Sequence, residues 1–582
     1  MRAPGLFSLA LAAGLAAMGC GERDAIREAD FPVADAADTV LLNGGIYTVA
    51  PDRSWAEALA VRGGVIVEVG GNEAVRPLVG PNTRVIDLEG RMALPGFHDA
   101  HVHPTMGGFA LLGCNLEGEV SVEAIIRRVE SCVQAGGEGW LEGHAFDLSV
   151  FGQDGPHKSL LDAIGSARPI VLWSSDGHNA WANSRALDLA GITADTPDPS
   201  LGVIEREPDG SPSGTLRETA QELLRAAIPK PSAEAAQQAL ETGIRHLNAN
   251  GITSFIDAWV GREDYESYLA LDRAGKLTAR VVTSLTYESG FAKHVGEEFE
   301  AVLAARGDYE SERLRHDSIK LFLDGVLEGE TAALLEDYVG LGHHGELILD
   351  PEALDAAVTR FDAMGLQVHM HAIGDRAVRA GLDAIEAARR ANGASDNRHH
   401  ISHLQMIHID DIERFAELET AANFQAAWAY PDEWIMDLNL PVVGEERVQA
   451  MYPMASVERA GGRIVGGSDW NVSTANPLEA IEVAVRRQDA SAAGGPVLNP
   501  GERLSLESMI DAYTINGAWL MRQEAMTGSL EVGKRADIVI LDRDLFGIPA
   551  ADLNEVEVVM TMLDGQTVYE SETLTWRGEL DD

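Results

Sequence analysis

Two histidines one residue apart stand in the run Pro95-Gly96-Phe97-His98-Asp99-Ala100-His101-Val102-His103-Pro104. Side chains on a strand alternate faces, so His101 and His103 point one way and Val102 the other. Two imidazoles on one inward face at a strand end can grip a single metal ion. Alone the pair is weak evidence, because core and surface histidines explain most such spacings. Four further segments change that. Gln367-Val368-His369-Met370-His371 and His399-His400-Ile401-Ser402-His403 each end in an imidazole, and Gly466-Gly467-Ser468-Asp469 ends in a carboxylate. Ile319-Lys320-Leu321-Phe322-Leu323-Asp324 carries a lysine among apolar residues. Lys320 has a plain reading, as partner to Asp324, and a chemical one, as part of a metal site. Five segments independently offering ligand-type groups point to a divalent-metal centre.

Those segments need a scaffold that brings strand ends to one rim. The chain alternates short apolar runs with helical stretches, as a TIM (β/α)8 barrel of the α/β class requires. Eight strands are read at 92–103, 251–257, 279–287, 318–325, 366–373, 399–404, 421–428 and 463–469. Between the first and second lies an excursion over about 104–231, with strand-like pieces at 140–145 and 169–174. Loops that follow barrel strands carry function, so this insertion is expected to overhang the active site. β-like runs at 39–49, 58–69 and 84–94 recur near the far end at 536–542 and 556–569. They predict one small β-sandwich built from 39–91 and 528–575, with the barrel occupying 92–527. The pairs Gly107-Gly108 and Gly461-Gly462 are read as turns, and there is neither a GxxxxGK[ST] phosphate loop nor a GxSxG elbow.

The 582 residues carry 92 Asp and Glu against 45 Lys and Arg, a formal net charge of −47 at pH 7. Such a field repels phosphate backbones and argues against nucleic-acid binding. An acidic, lysine-poor surface fits a salt-adapted organism. At the N-terminus Arg2 precedes the apolar run 6–17 (LFSLALAAGLAA), too short to span a membrane as a mature helix. Small residues then lead into Cys20, which reads as a secretory signal. Ala17-Met18-Gly19-Cys20 resembles a bacterial lipoprotein cleavage box. That resemblance implies a signal peptide over 1–20, a lipidated Cys20, an acidic tether over 21–38, and a membrane-anchored protein facing the periplasm. Of the remaining cysteines, Cys114 and Cys132 either pair in an oxidising compartment or stay buried thiols, and the sequence leaves both open.

In combination these segments resemble the amidohydrolase superfamily, in its YtcJ-like, amidohydrolase-3 branch. The carriers are His101-Val102-His103, Lys320 to Gly325, His371-Ala372-Ile373-Gly374-Asp375, the His403 segment and Ser468-Asp469. The resemblance covers nearly the whole mature chain. It implies a binuclear centre, usually zinc. His101, His103 and Asp469 would hold one ion, His371 and His403 the other, and Lys320 would bridge them as a carbamate. Asp469 would also be the catalytic proton carrier, and His98, His399 and His400 supporting groups. Ser175 to Ser184 and Asp209 to Glu218 match further segments of the branch. From the first, His178, Trp181 and Asn183 are candidates for the substrate side; the rival reading is a hairpin in which His178 and Asn183 satisfy buried backbone groups.

The reaction implied is hydrolysis of an amide-like, non-peptide C–N bond in a small molecule of N-acyl or N-formyl amine type, as in formamide deformylase-type enzymes. An ester or lactone hydrolase, an isomerase, or a lipoprotein that binds metal or solute without turnover are the alternatives on this scaffold. Oligomeric state, a homodimer included, is open.

Overall fold

Short apolar runs set the architecture. In the computed structural model, which describes residues 36–287, 294–492 and 494–572, eight of them form one parallel sheet in chain order. They are β1 (Phe97–Val102), β2 (Ile252–Val260), β3 (Arg280–Thr286), β4 (Leu314–Phe322), β5 (Gln367–Ala372), β6 (His400–His403), β7 (Ala421–Phe424) and β8 (Ile464–Gly466). The sheet closes where the chain leaves β1 and β8. Asp469 N–H donates to the His101 carbonyl and His103 N–H to the Trp470 carbonyl, both at 2.7 Å. β1, β3, β5, β6 and β7 are buried along their whole length, as a barrel wrapped by helices demands. Inside, Ala100, Ile256, Val282, Ala421 and Val465 share one cluster. Against the expected bounds, the first strand, read as 92–103, is split: Met92–Pro95 pairs in the sandwich and only Phe97–Val102 enters the barrel. β4 begins earlier, and β7 and β8 are shorter because their C-terminal residues turn out of the sheet to line the site.

Two further sheets make the sandwich. Thr39–Leu42, Ala58–Arg62, Val65–Gly70 and Arg84–Asp87 form a four-stranded one. In the six-stranded partner, Gly45–Tyr47, Trp55–Ala56 and Met92–Pro95 are joined by Ile538–Leu541, Val558–Leu563 and Gln566–Glu570. Met92–Pro95 runs parallel to Gly45–Tyr47 on one side and antiparallel to Ile538–Leu541 on the other. Leu41, Leu59 and Ile66 pack with Ile46, Ile538 and Ile540 in one buried cluster. The expected signal peptide over 1–20, with Cys20, and residues 21–35 of the expected tether lie outside the described residues. Its last residues are already tied down: Ala37 N–H donates to the Leu78 carbonyl at 2.8 Å, and the Asp38 carboxylate accepts from Gly63 N–H at 2.6 Å.

The insertion carries its own six-stranded sheet, from Cys114–Asn115 to Pro212–Glu218. Cys114 and Cys132 are bonded, which ties that edge strand to helix Val122–Gln134. One expectation fails here. Gly107 and Gly108 are not a turn but lie inside helix Pro104–Leu112. Close packing is the reason: a Cβ would stand 2.2 Å from the Trp470 ring at Gly107 and 1.8 Å from the Ala239 carbonyl oxygen at Gly108. Among the described residues, no helix is long and apolar enough to cross a membrane.

Candidate active site

The C-terminal ends of the barrel strands open on a cavity of about 380 Å³. His101, His103, Lys320, His371, His403 and Asp469 all line it. Alternation on β1 turns His101 and His103 inward together, and the backbone bonds closing the barrel bring Asp469 beside them. Asp469 Oδ1 lies 3.3 Å from His101 Nε2 and 3.0 Å from His103 Nε2. His403 Nδ1 lies 3.7 Å from Asp469 Oδ2, and the His371 and His403 rings are 4.4 Å apart. β6 and β8 deliver their groups through backbone that L-residues rarely adopt: φ is +80° at His403, +53° at Leu404 and +55° at Asp469. Each such residue costs on the order of 1–3 kcal/mol, a strain that persists where the surroundings hold it.

The donor set fits a metal ion. One ligand atom from each of His101, His103 and Asp469 lies within 4.8 Å of the others. Asp469 Oδ1, His103 Nδ1 and His403 Nδ1 are buried with no hydrogen-bond partner among the described residues. Burial, reinforced by the Lys320 charge, holds the imidazole of His101 well below its usual pKa, and burial does the same at His371 and His403. Neutral imidazoles offer lone pairs, which is what a cation requires. His101 is further oriented from below, where its Nδ1 meets His369 Nε2 at 2.9 Å. His369 is itself bonded to Ser284 and Ser402. His369 stands two residues before His371 and could share its face; the resemblance favours His371 as the ligand, and the structure sets His369 under His101.

Lys320 is 1% exposed, with Nζ 3.4 Å from His101 Nε2. Burial pulls its pKa down to about 7, against the opposing pull of Asp469. The plain reading of Lys320 as partner to Asp324 fails. Asp324 instead accepts backbone N–H bonds from Ala333, Ile373 and Gly374 at 2.8–3.0 Å.

Of the three residues expected on the substrate side, the cavity receives His178 alone. Its Nδ1 is 2.8 Å from the Glu218 carboxylate, and its ring 5.9 Å from that of His371. Burial opposes charge on His178, but Glu218, Asp176 and Glu328 outweigh it and carry the pKa up to about 9. Trp181 is a correction: it points into the insertion's core, fully buried, its ring 6.0 Å from Phe146 and 5.1 Å from Phe151. Asn183 is a second. Its Oδ1 accepts from Ile170 N–H and Ala186 N–H, capping helix Ser184–Ala190, and its Nδ2 donates to the Arg168 carbonyl. Both side chains are consumed by the hairpin. His98, His399 and His400 sit below the rim, His98 bonded to Gly96 and Thr527, His399 to Asp362. Residues missed altogether follow β7: Trp428, Tyr430, Asp432, Trp434 and Asn439 form one wall of the cavity.

Residues 84–569 match the family model described as "Amidohydrolase family". YtcJ of Bacillus subtilis (strain 168) is 31% identical over 90% of this chain and 98% of its own. The N-substituted formamide deformylase of Arthrobacter pascens is 31% identical over 92% and 98%. Among solved structures, a metal-dependent hydrolase from Pyrococcus horikoshii OT3 superposes with a TM-score of 0.70 at 25% identity, covering 88% of this chain and 99% of that one. The chain therefore belongs to the amidohydrolase family, whose metal-dependent members share its barrel.

Proposed function

We propose that the protein hydrolyses an amide-like C–N bond in a small non-peptide molecule of N-acyl or N-formyl amine type. The observation that carries this reading is the convergence of His101, His103 and Asp469 beside the buried amine of Lys320. His101, His103 and Asp469 would hold one divalent ion and His371 and His403 a second, with zinc the expected metal. Such ions supply Lewis acidity for the scissile carbonyl and lower the pKa of water. Lys320 would supply the shared anion: burial favours its neutral amine, which would add to carbon dioxide and release a proton to become a carbamate. Asp469 accepts the proton of the attacking water and returns it to the leaving nitrogen. His178, held positive by Glu218, faces the substrate and favours charge developing on the carbonyl oxygen. The deformylase relative supports this choice of substrate class.

The test is metal analysis of the purified protein, followed by a panel of N-acyl amines, amides, esters and lactones with and without chelator. Bound divalent metal, and amide hydrolysis that chelator abolishes, is the expected outcome. Ester or lactone turnover alone, or turnover indifferent to chelator, rejects the reading.

We further propose that the protein is an exported lipoprotein anchored through Cys20 in a bacterial envelope. The Cys114–Cys132 bond supports an oxidising compartment. Expressed in a bacterial host, Cys20→Ser moves the protein from the membrane to the soluble fraction. Equal membrane retention of mutant and parent rejects the anchor.

A further inference from the structure

The chain leaving β7 builds a cavity wall whose chemistry the metal-type residues do not use. Trp428 begins it, lying parallel to the His403 imidazole with ring centroids 5.7 Å apart. Tyr430, Asp432, Trp434 and Asn439 line the same cavity, as do Asp147 of the insertion and Glu479 of helix Pro477–Arg486. The wall is aromatic and acidic together.

Three observations say what it would receive. Carboxylates crowd there: burial first, then Glu433 and Asp147, push the Asp432 carboxyl up to about 7, and burial raises Glu479 as well. A cation among these groups would relieve both the repulsion and the burial. Independently, Asn439 is 2% exposed and lines the cavity, and its Oδ1 has no hydrogen-bond partner among the described residues. A buried oxygen of that kind calls for a donor. Aromatic rings of Trp428, Tyr430 and Trp434 line the same cavity, a setting in which a cation can find a ring face, and a net charge of −47 raises its local concentration. Arg225 also reaches the cavity, but its charge is engaged. Its Nε lies 3.2 Å from Glu222, and its guanidinium carbon 4.0 Å over the Trp173 ring.

We propose that the substrate carries a positively charged amino group separate from its scissile C–N bond, and that this wall, with Asp147 and Glu479, is the subsite for that group. The identity of the rest of the substrate rests on the amide-hydrolase reading above. The class is then a mono-N-acylated diamine. Water adds to the acyl carbon and the C–N bond breaks. The acid leaves as a carboxylate, and the freed nitrogen takes up the proton, giving a doubly charged diamine.

The probes are N-acetyl-1,4-diaminobutane and N-pentylacetamide, in which a methyl group replaces the ammonium. Binding by calorimetry and kcat/KM are measured on the metal-loaded enzyme at low salt. The cationic amide is expected to bind at least about 10-fold more tightly. In the Asp432→Asn/Glu479→Gln double variant the preference falls to under about 3-fold, and added salt shrinks it in the parent. Where the double variant fails to fold, either single substitution reduces the preference. Equal binding of the two amides, or a preference that survives these substitutions, overturns the subsite. Failure of the amide reading looks different: the cationic probe still binds more tightly, yet no amide is hydrolysed.

Discussion

Asp469→Asn lowers kcat by about 10²–10⁴-fold at saturating metal, the range general acid–base catalysis supplies. On the proposed mechanism the side chain serves two tasks, metal binding and proton transfer. Its Oδ1 is 3.0–3.3 Å from the His101 and His103 nitrogens, and Oδ2 is turned toward His403. Asparagine keeps one oxygen for a metal but cannot accept and return a proton, so the substitution separates the tasks. Metal content, measured by plasma emission on protein loaded with excess zinc and then desalted, is expected to stay near the parent's while turnover collapses. An Asn variant with full metal and kcat within a factor of about ten of the parent would show that another group moves the proton.

Lys320→Ala is the second large effect. A free ammonium among cations would be repelled, so Lys320 belongs in the site as a neutral amine or as the carbamate made from it. If Lys320 supplies the shared anion proposed above, removing it should cost the protein one of its metal equivalents and at least about 10²-fold in kcat. Short carboxylic acids, which fit the vacated space and supply an anion, should restore part of both. The pH dependence has a definite sign. Burial brings the amine's pKa to about 7, so at a fixed concentration of dissolved carbon dioxide the parent is expected to take up metal faster above that pH than below it. A Lys320→Ala protein with full metal content and near-normal turnover removes the bridging role and favours a mononuclear site.

How much of this could be read from residue order depends on the kind of signal each residue gives. His101 and His103 were legible because strand alternation is strict, and the barrel because its strands are apolar on both faces. Trp181 enters the substrate-side candidates through the resemblance of its segment, and alternation could not have excluded it. It lies on a strand of the insertion whose faces both meet apolar cores, and periodicity does not say which of them opens on a cavity. At Asn183 the rival reading, a side chain satisfying buried backbone groups, is the one the structure bears out, and its position directly ahead of the helical run Ser184–Ala190 is the ordinary one of an N-cap. The Cys114–Cys132 bond and the glycines of helix Pro104–Leu112 depend on what lies across the contact, which sequence spacing does not contain. The wall after β7 gave composition without period, and so its residues remained unassigned until their positions were known.

The sandwich also imposes an order of events on the growing polypeptide. Met92–Pro95, the strand leading directly into the barrel, has Ile538–Leu541 as its neighbour on one side. At about 5–20 residues per second, that neighbour leaves the ribosome roughly 20–90 seconds later. Through that interval a fully apolar strand has an open edge, a template for pairing with any other extended chain. Until Ile538–Leu541 arrives, that edge of the nascent chain is therefore expected to be open to mispairing. A protease that clips the last forty described residues from the folded protein would recreate the same exposed edge.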